Sequence, residues 1–159
     1  MFIYQKSLCV GVALCVVLLF TTFSAANNKH SCRSGNGNSI PPAAYANTCG
    51  GCHIAYPAWL LPATSWSKIM SNLGDHFGAE VTVSPEDAAI VESWLKEQAA
   101  GSGASRRGDK VARHLSGQSP LRVTDTPWFA HKHRKVRDSK KFADCDSCHK
   151  EAAQGIYDD

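Results

Sequence analysis

Apolar positions recur at helical spacing in three stretches of the chain. Trp66, Ile69, Met70, Leu73 and Phe77 fall on one face of a predicted helix. Ile90, Val91, Trp94 and Leu95 make a second face. It lies behind Ser84-Pro85-Glu86-Asp87, where a Ser cap, a Pro at the first position and two acids mark a helix start, and it stops before Gly101. Thr126-Pro127 opens a third helix, predicted to run through Trp128, Phe129 and Val136. Long alternating runs of the kind a half-buried strand needs are missing, and the sole extended candidate is Pro120–Thr124. The pattern predicts a mainly α chain with substantial coil.

The same pattern divides the chain. Leu8 to Phe20 is an uncharged apolar run behind Lys6, and Ser24-Ala25-Ala26 supplies small residues for cleavage, so residues 1–26 read as a signal peptide. The run falls short of the roughly 20 residues a spanning helix needs, so export without a stable membrane anchor is expected. Residues 27–44 are rich in Asn, Ser, Gly and Pro and read as a flexible leader. An ordered block, 45–100, precedes a Gly/Ser-rich break at 101–110 that reads as a linker. The last block, 111–159, holds few large apolar residues; alone it would not bury enough surface to fold without a metal, disulfides or a cofactor.

Composition then excludes several classes. With 159 residues, 43% hydrophobic and 19% charged, the chain is neither collagen-like, coiled-coil nor grossly disordered. A net charge of +3 and a pI near 8.5 are too weakly basic for a dedicated nucleic-acid binder, so no nucleic-acid partner is expected. The charge is dipolar, acidic over residues 27–100 and basic over 101–159. Lys132 to Lys141 is a basic stretch suited either to an acidic redox partner or to simple solvation. Seven Cys and seven His in so short a chain point to metal or cofactor chemistry.

Cys9 and Cys15 leave with the signal peptide, and Cys32 in the leader is either a free thiol or an intermolecular bridge. The other four cysteines form two copies of Cys-x-x-Cys-His: Cys49-Gly50-Gly51-Cys52-His53 and Cys145-Asp146-Ser147-Cys148-His149. This is the signature of covalent c-type haem attachment. Two thiols at this spacing form thioethers with the two vinyl-derived positions on one porphyrin edge, and the adjacent His reaches the iron as proximal ligand. Zinc knuckles are normally some 15–20 residues apart, whereas 92 residues separate Cys52 from Cys145. Redox disulfides of the thioredoxin kind would need a βαβ context that the pattern does not supply.

The distal ligand separates an electron carrier from a haem that binds gases or substrates. Met70 is the one Met left after cleavage, so at most one haem has a His/Met pair. On a helix through Trp66, His76 sits at the edge of the apolar face and Met70 projects from the same face, and both remain candidates. His30 lies in the leader, and His114 lies in a polar, glycine-flanked stretch that reads as solvated. His131 and His133 point to nearly opposite sides of the third helix. His133 shares a stripe with Phe129 and Val136, while His131 shares one with Trp128 and Lys135, which favours His133.

Further residues, in order, carry a resemblance: Thr48 to Pro57 (TCGGCHIAYP), Leu60-Leu61-Pro62-Ala63 with Ser65-Trp66, Asp75-His76-Phe77-Gly78, Arg122 to Phe129, Lys132-His133, and Phe142 through His149. In this set the chain resembles the bacterial dihaem cytochrome c family. The resemblance implies a periplasmic electron carrier with two covalent haem c groups and both irons bis-histidine coordinated. It implies a first half like a class I cytochrome c and a second haem-binding half with little regular secondary structure. It also implies partners among redox proteins, including a membrane cytochrome b and a small oxygen-binding haem protein. Haem 1 is then expected on Cys49 and Cys52 with His53 and His76, and haem 2 on Cys145 and Cys148 with His149 and His133. The rival reading is a haem enzyme or gas-binding protein with one open iron.

Overall fold

The computed structural model describes residues 39–136, Phe142 and residues 144–157. The signal peptide, most of the leader with His30 and Cys32, and Arg137–Lys141 of the basic stretch lie outside the described residues. The described part belongs to one compact unit, Cys32–Asp159. It is mainly α: helices α1 (Ala43–Cys49), α2 (Ala63–Met70), α3 (Pro85–Glu97), α4 (Arg106–Leu115) and α5 (Pro127–Lys132) are joined by turns and short 3-10 segments. No strand occurs among the described residues, and Pro62–Ala100 and His76–Ala79 are isolated bridges. No helix there is long and apolar enough to cross a membrane.

The α3 start is built as its sequence predicts. Ser84 Oγ accepts from the Asp87 amide at 3.1 Å, with Pro85 at the first position. Val91 and Leu95 are fully buried, joining Tyr45, Leu61, Trp66 and Ala99 in the first core cluster, but Ile90 is exposed. The predicted second helix is shorter than its periodicity. It ends at Met70, because Asn72 donates its side-chain amide to the Asp75 carbonyl at 3.0 Å and the chain turns through a 3-10 segment, Leu73–Asp75. The third also stops early, at Lys132. The His131 carbonyl there takes the Arg134 guanidinium at 2.7 Å instead of a helical amide, and Val136 is exposed. Pro120–Thr124 is no strand; its end enters a 3-10 turn, Val123–Asp125.

Two helices lie where the polar pattern hid them. One is α1, which begins at Ala43 inside the stretch read as leader. The other is α4, whose first residues, Arg106 to Lys110, lie in the stretch read as a linker. Ser105 Oγ caps α4 by accepting from the Gly108 amide at 2.9 Å, a contact worth about 1 kcal/mol. Val111 and Leu115, four apart, are buried against Trp59, Leu60 and Ala100. Each buried aliphatic contributes roughly 1.5–3 kcal/mol, which outweighs the cost of about 1 kcal/mol for a helical Gly.

Gly108 has its own reason to be there. A Cβ on it would lie 3.2 Å from Trp59 Cβ and 3.0 Å from the capping Ser105 Oγ. Gly108→Ala gains about 1 kcal/mol of helix propensity but overpacks a buried contact, which typically costs about 1–3 kcal/mol. The expected result is a lowered Tm in thermal melts; an unchanged or raised Tm would mean that Trp59 yields.

Candidate functional site

The first cysteine motif straddles the end of α1. Cys49 is its last residue, and the Gly50 amide donates back to the Ala46 carbonyl at 3.1 Å. Any Cβ at Gly50 would lie 2.5 Å from that carbonyl, so only glycine permits so tight a turn. The turn leaves Cys49 half-buried on the core and Cys52 and His53 exposed. His53 Nδ1 pairs with the Ile54 carbonyl at 2.7 Å. Donation there fixes the tautomer and leaves Nε2 with its lone pair free for a metal.

His76 faces His53. Their ring centroids are 6.3 Å apart and their planes differ by 24°. An imidazole nitrogen lies about 2 Å from the metal it binds, so two imidazoles on opposite sides of one ion hold their centroids roughly 6 Å apart. His76 reaches this position from a turn rather than from the predicted helix. Its amide donates to Ala79 at 2.7 Å, and Phe77 and Gly78 both have positive φ. Asp75 Oδ1 accepts from the Gly78 amide, and the Arg122 guanidinium sits 4.0 Å over the Phe77 ring. Burial, then the neighbouring His53 and Arg122, hold His76 below the usual imidazole range, which favours the neutral form that ligates metals. Met70 packs instead against the first core cluster.

The second motif is a 3-10 turn, Cys145–Ser147, in which the Cys148 and His149 amides both donate to the Cys145 carbonyl. Here the partner is His133, with ring centroids 6.1 Å apart and planes at 89°. His133 caps α5, its Nδ1 pairing with the Phe129 carbonyl at 3.0 Å, so its Nε2 is likewise left for a metal. Its ring lies 3.9 Å from that of Phe129, with Phe142 edge-on to Phe129. His131 turns elsewhere: its ring lies 5.5 Å from that of His114, which in turn abuts Trp128. That meeting of His114 and His131 was not foreseeable, because α4 was hidden. Tyr56 against His53 and Tyr157 against His149 were likewise missed; their one signal was an aromatic three residues after His53 and another eight after His149.

Two ring pairs, each set for one metal between them, and a Cys-x-x-Cys beside each pair fit two c-type haems. The rival chemistries fit less well. Among the described residues no three His, Cys, Asp or Glu converge as a zinc ion would need. Burial holds the Cys49 and Cys145 thiols above their ordinary values, the reverse of a redox-active thiolate. The cavity of about 280 Å³ between Tyr45, Trp59 and Trp94 is lined by none of the four paired histidines.

Residues 45–157 match the family described as dihaem cytochrome c. The chain belongs to that family. As a dihaem cytochrome c it carries two covalently bound haem c groups, which supply one-electron chemistry at their irons. It is 31% identical to a dihaem cytochrome c from Rhodobacter sphaeroides, with a TM-score of 0.66 over 74% of this chain and 98% of that one. It is 34% identical to a dihaem cytochrome c from Shewanella baltica OS155, with a TM-score of 0.57 over 73% of this chain and 86% of that one. No curated protein matches this dihaem cytochrome c. Membership of the family makes the chain a haem-based electron carrier.

Proposed function

We propose that this dihaem cytochrome c is a periplasmic carrier in which both irons are bis-histidine coordinated. Haem 1 is attached at Cys49 and Cys52 and held between His53 and His76. Haem 2 is attached at Cys145 and Cys148 and held between His149 and His133. The observation that carries the reading is the pair of ring separations, 6.3 and 6.1 Å, each with a proximal motif on one side. Six-coordinate irons leave no open position for a substrate, so the chain's work is to hold each iron in one ligand set through both oxidation states. His53 and His133 do this with their outer nitrogens tied to backbone carbonyls, and Phe129 buttresses His133. The apolar run at Leu8–Phe20 supports export. The partners are redox proteins: a membrane cytochrome b, and a small soluble haem protein that binds oxygen.

The test is a mass and a spectrum of the mature protein. Denatured chain is expected to retain the mass of two haems, and the reduced spectrum to be unchanged by carbon monoxide. Bare polypeptide would overturn the attachment, and a carbon monoxide complex would overturn the ligation in favour of a gas-binding or catalytic haem.

A further inference from the structure

Phe77 stands where the local chemistry would place another residue. The His76 amide donates to the Ala79 carbonyl at 2.7 Å and the Ala79 amide donates to the His76 carbonyl at 3.2 Å, which closes a two-residue turn. Both residues inside it, Phe77 (φ 57°) and Gly78 (φ 92°), have positive φ. Such turns favour Asn-Gly or Asp-Gly, and a bulky aromatic at the first position is strained. Burial does not offset the strain, because Phe77 is 44% exposed. The ring instead has two specific neighbours. The His76 ring meets it edge-on, with centroids 4.9 Å apart, and the Arg122 guanidinium lies 4.0 Å over it. Arg122 comes from beyond α4, and its backbone is held: the Asp125 amide donates to the Arg122 carbonyl at 3.1 Å, and Val123 packs on both core clusters. Contacts thus run from the core through Arg122 and Phe77 to His76.

We propose that Phe77 and Arg122 are positioning residues that hold His76 on the haem 1 iron. The inference rests on the assignment of His76 as that ligand. A strained turn by itself would carry His76 away whenever it relaxed. The guanidinium opposes this, because a cation is attracted to an aromatic face and this one is anchored next to a residue seated on the core. At haem 2 the same task falls to a helix end and to Phe129 stacked on His133. Loss of the Arg122–Phe77 contact is therefore felt at haem 1 alone.

The experiment uses the protein with both haems in place. Phe77→Asn suits the turn and deletes the ring; Arg122→Ala, at an exposed position, deletes the cation. Oxidised protein is mixed with saturating imidazole, which replaces a histidine ligand without changing the oxidation state of the iron. Capture is followed at each haem by its own haem-methyl proton resonances. At saturation the rate is that of histidine release. Each variant is expected to release His76 roughly two- to fivefold faster, the range of an exposed cation–π contact, with haem 2 unchanged. The double variant is expected to be no faster than the faster single one, because the two residues share one contact. The proposal is overturned if neither single variant changes the rate at haem 1, if the two effects multiply in the double variant, or if haem 2 releases its ligand faster by the same factor. Should Phe77→Asn fail to take up haem, Arg122→Ala decides alone, and a parental rate at haem 1 overturns the proposal. Failure of the ligand assignment would look different: His76→Ala would leave haem 1 six-coordinate.

Discussion

His133→Ala turns haem 2 high-spin and opens it to carbon monoxide, while His131→Ala leaves both irons six-coordinate. The two histidines are neighbours in sequence but not in environment. The His133 ring lies 6.1 Å from His149 and is braced by Phe129, whereas the His131 ring lies 5.5 Å from His114, on the α4 side. Among the described residues, the rings that flank His133 are Phe129, Phe142 and its partner His149, and neither Phe carries a donor that could replace the imidazole. The corresponding contrast at haem 1 is His76→Ala against Met70→Leu. His76→Ala is expected to open the iron. Met70→Leu is expected to leave spectrum and potential unchanged, because Met70 packs into the core and volume-conserving apolar swaps there are well tolerated. Optical spectra with and without carbon monoxide check all four variants. The reverse pattern in either pair would reassign that ligand.

Two kinds of low-spin ferric signal are expected in the electron paramagnetic resonance spectrum of the oxidised protein. The His53 and His76 ring planes differ by 24°, and those of His133 and His149 by 89°. Near-parallel rings push on the same member of the iron dxz/dyz pair and split it, which gives a rhombic signal. Near-perpendicular rings raise both members almost equally, which gives a strongly anisotropic signal with a large maximum g value. His133→Ala should remove the second signal and leave the first. Two superposed rhombic signals, or two of the anisotropic kind, would contradict the ring geometry.

Much of this site was legible because its chemistry is local. Cys-x-x-Cys-His needs no tertiary contact to be read, and Ser84-Pro85 and Thr126-Pro127 are start signals written in adjacent residues. The proposed distal ligands rest on less local patterns. His76 was argued from a helical face that stops at Met70; it faces His53 from a turn closed by Asn72, Asp75 and Gly78. The pattern for His133 is a stripe with Phe129 and Val136; Phe129 stacks on its ring, whereas Val136 is exposed and meets His133 only through a backbone hydrogen bond. Of the two hidden helices, α4 is the longer. Its capping Ser105 and the Val111–Leu115 pair were present in the sequence. However, Gly108 read as flexibility when its role is to let α4 approach Trp59, a reason that exists only in three dimensions.

That approach has a consequence for how the molecule trades charge. Two haem modules on a loose tether would act as two independent one-electron sites, each needing its own encounter and swinging at thermal whim between them. Here α4, seated on the Ala58–Leu60 turn through Val111 and Leu115, makes the second half continuous with the first. The two Cys-x-x-Cys-His motifs thus belong to one folded unit rather than to two tethered ones. With two haems carried in one folded unit, the chain can store two electrons rather than one.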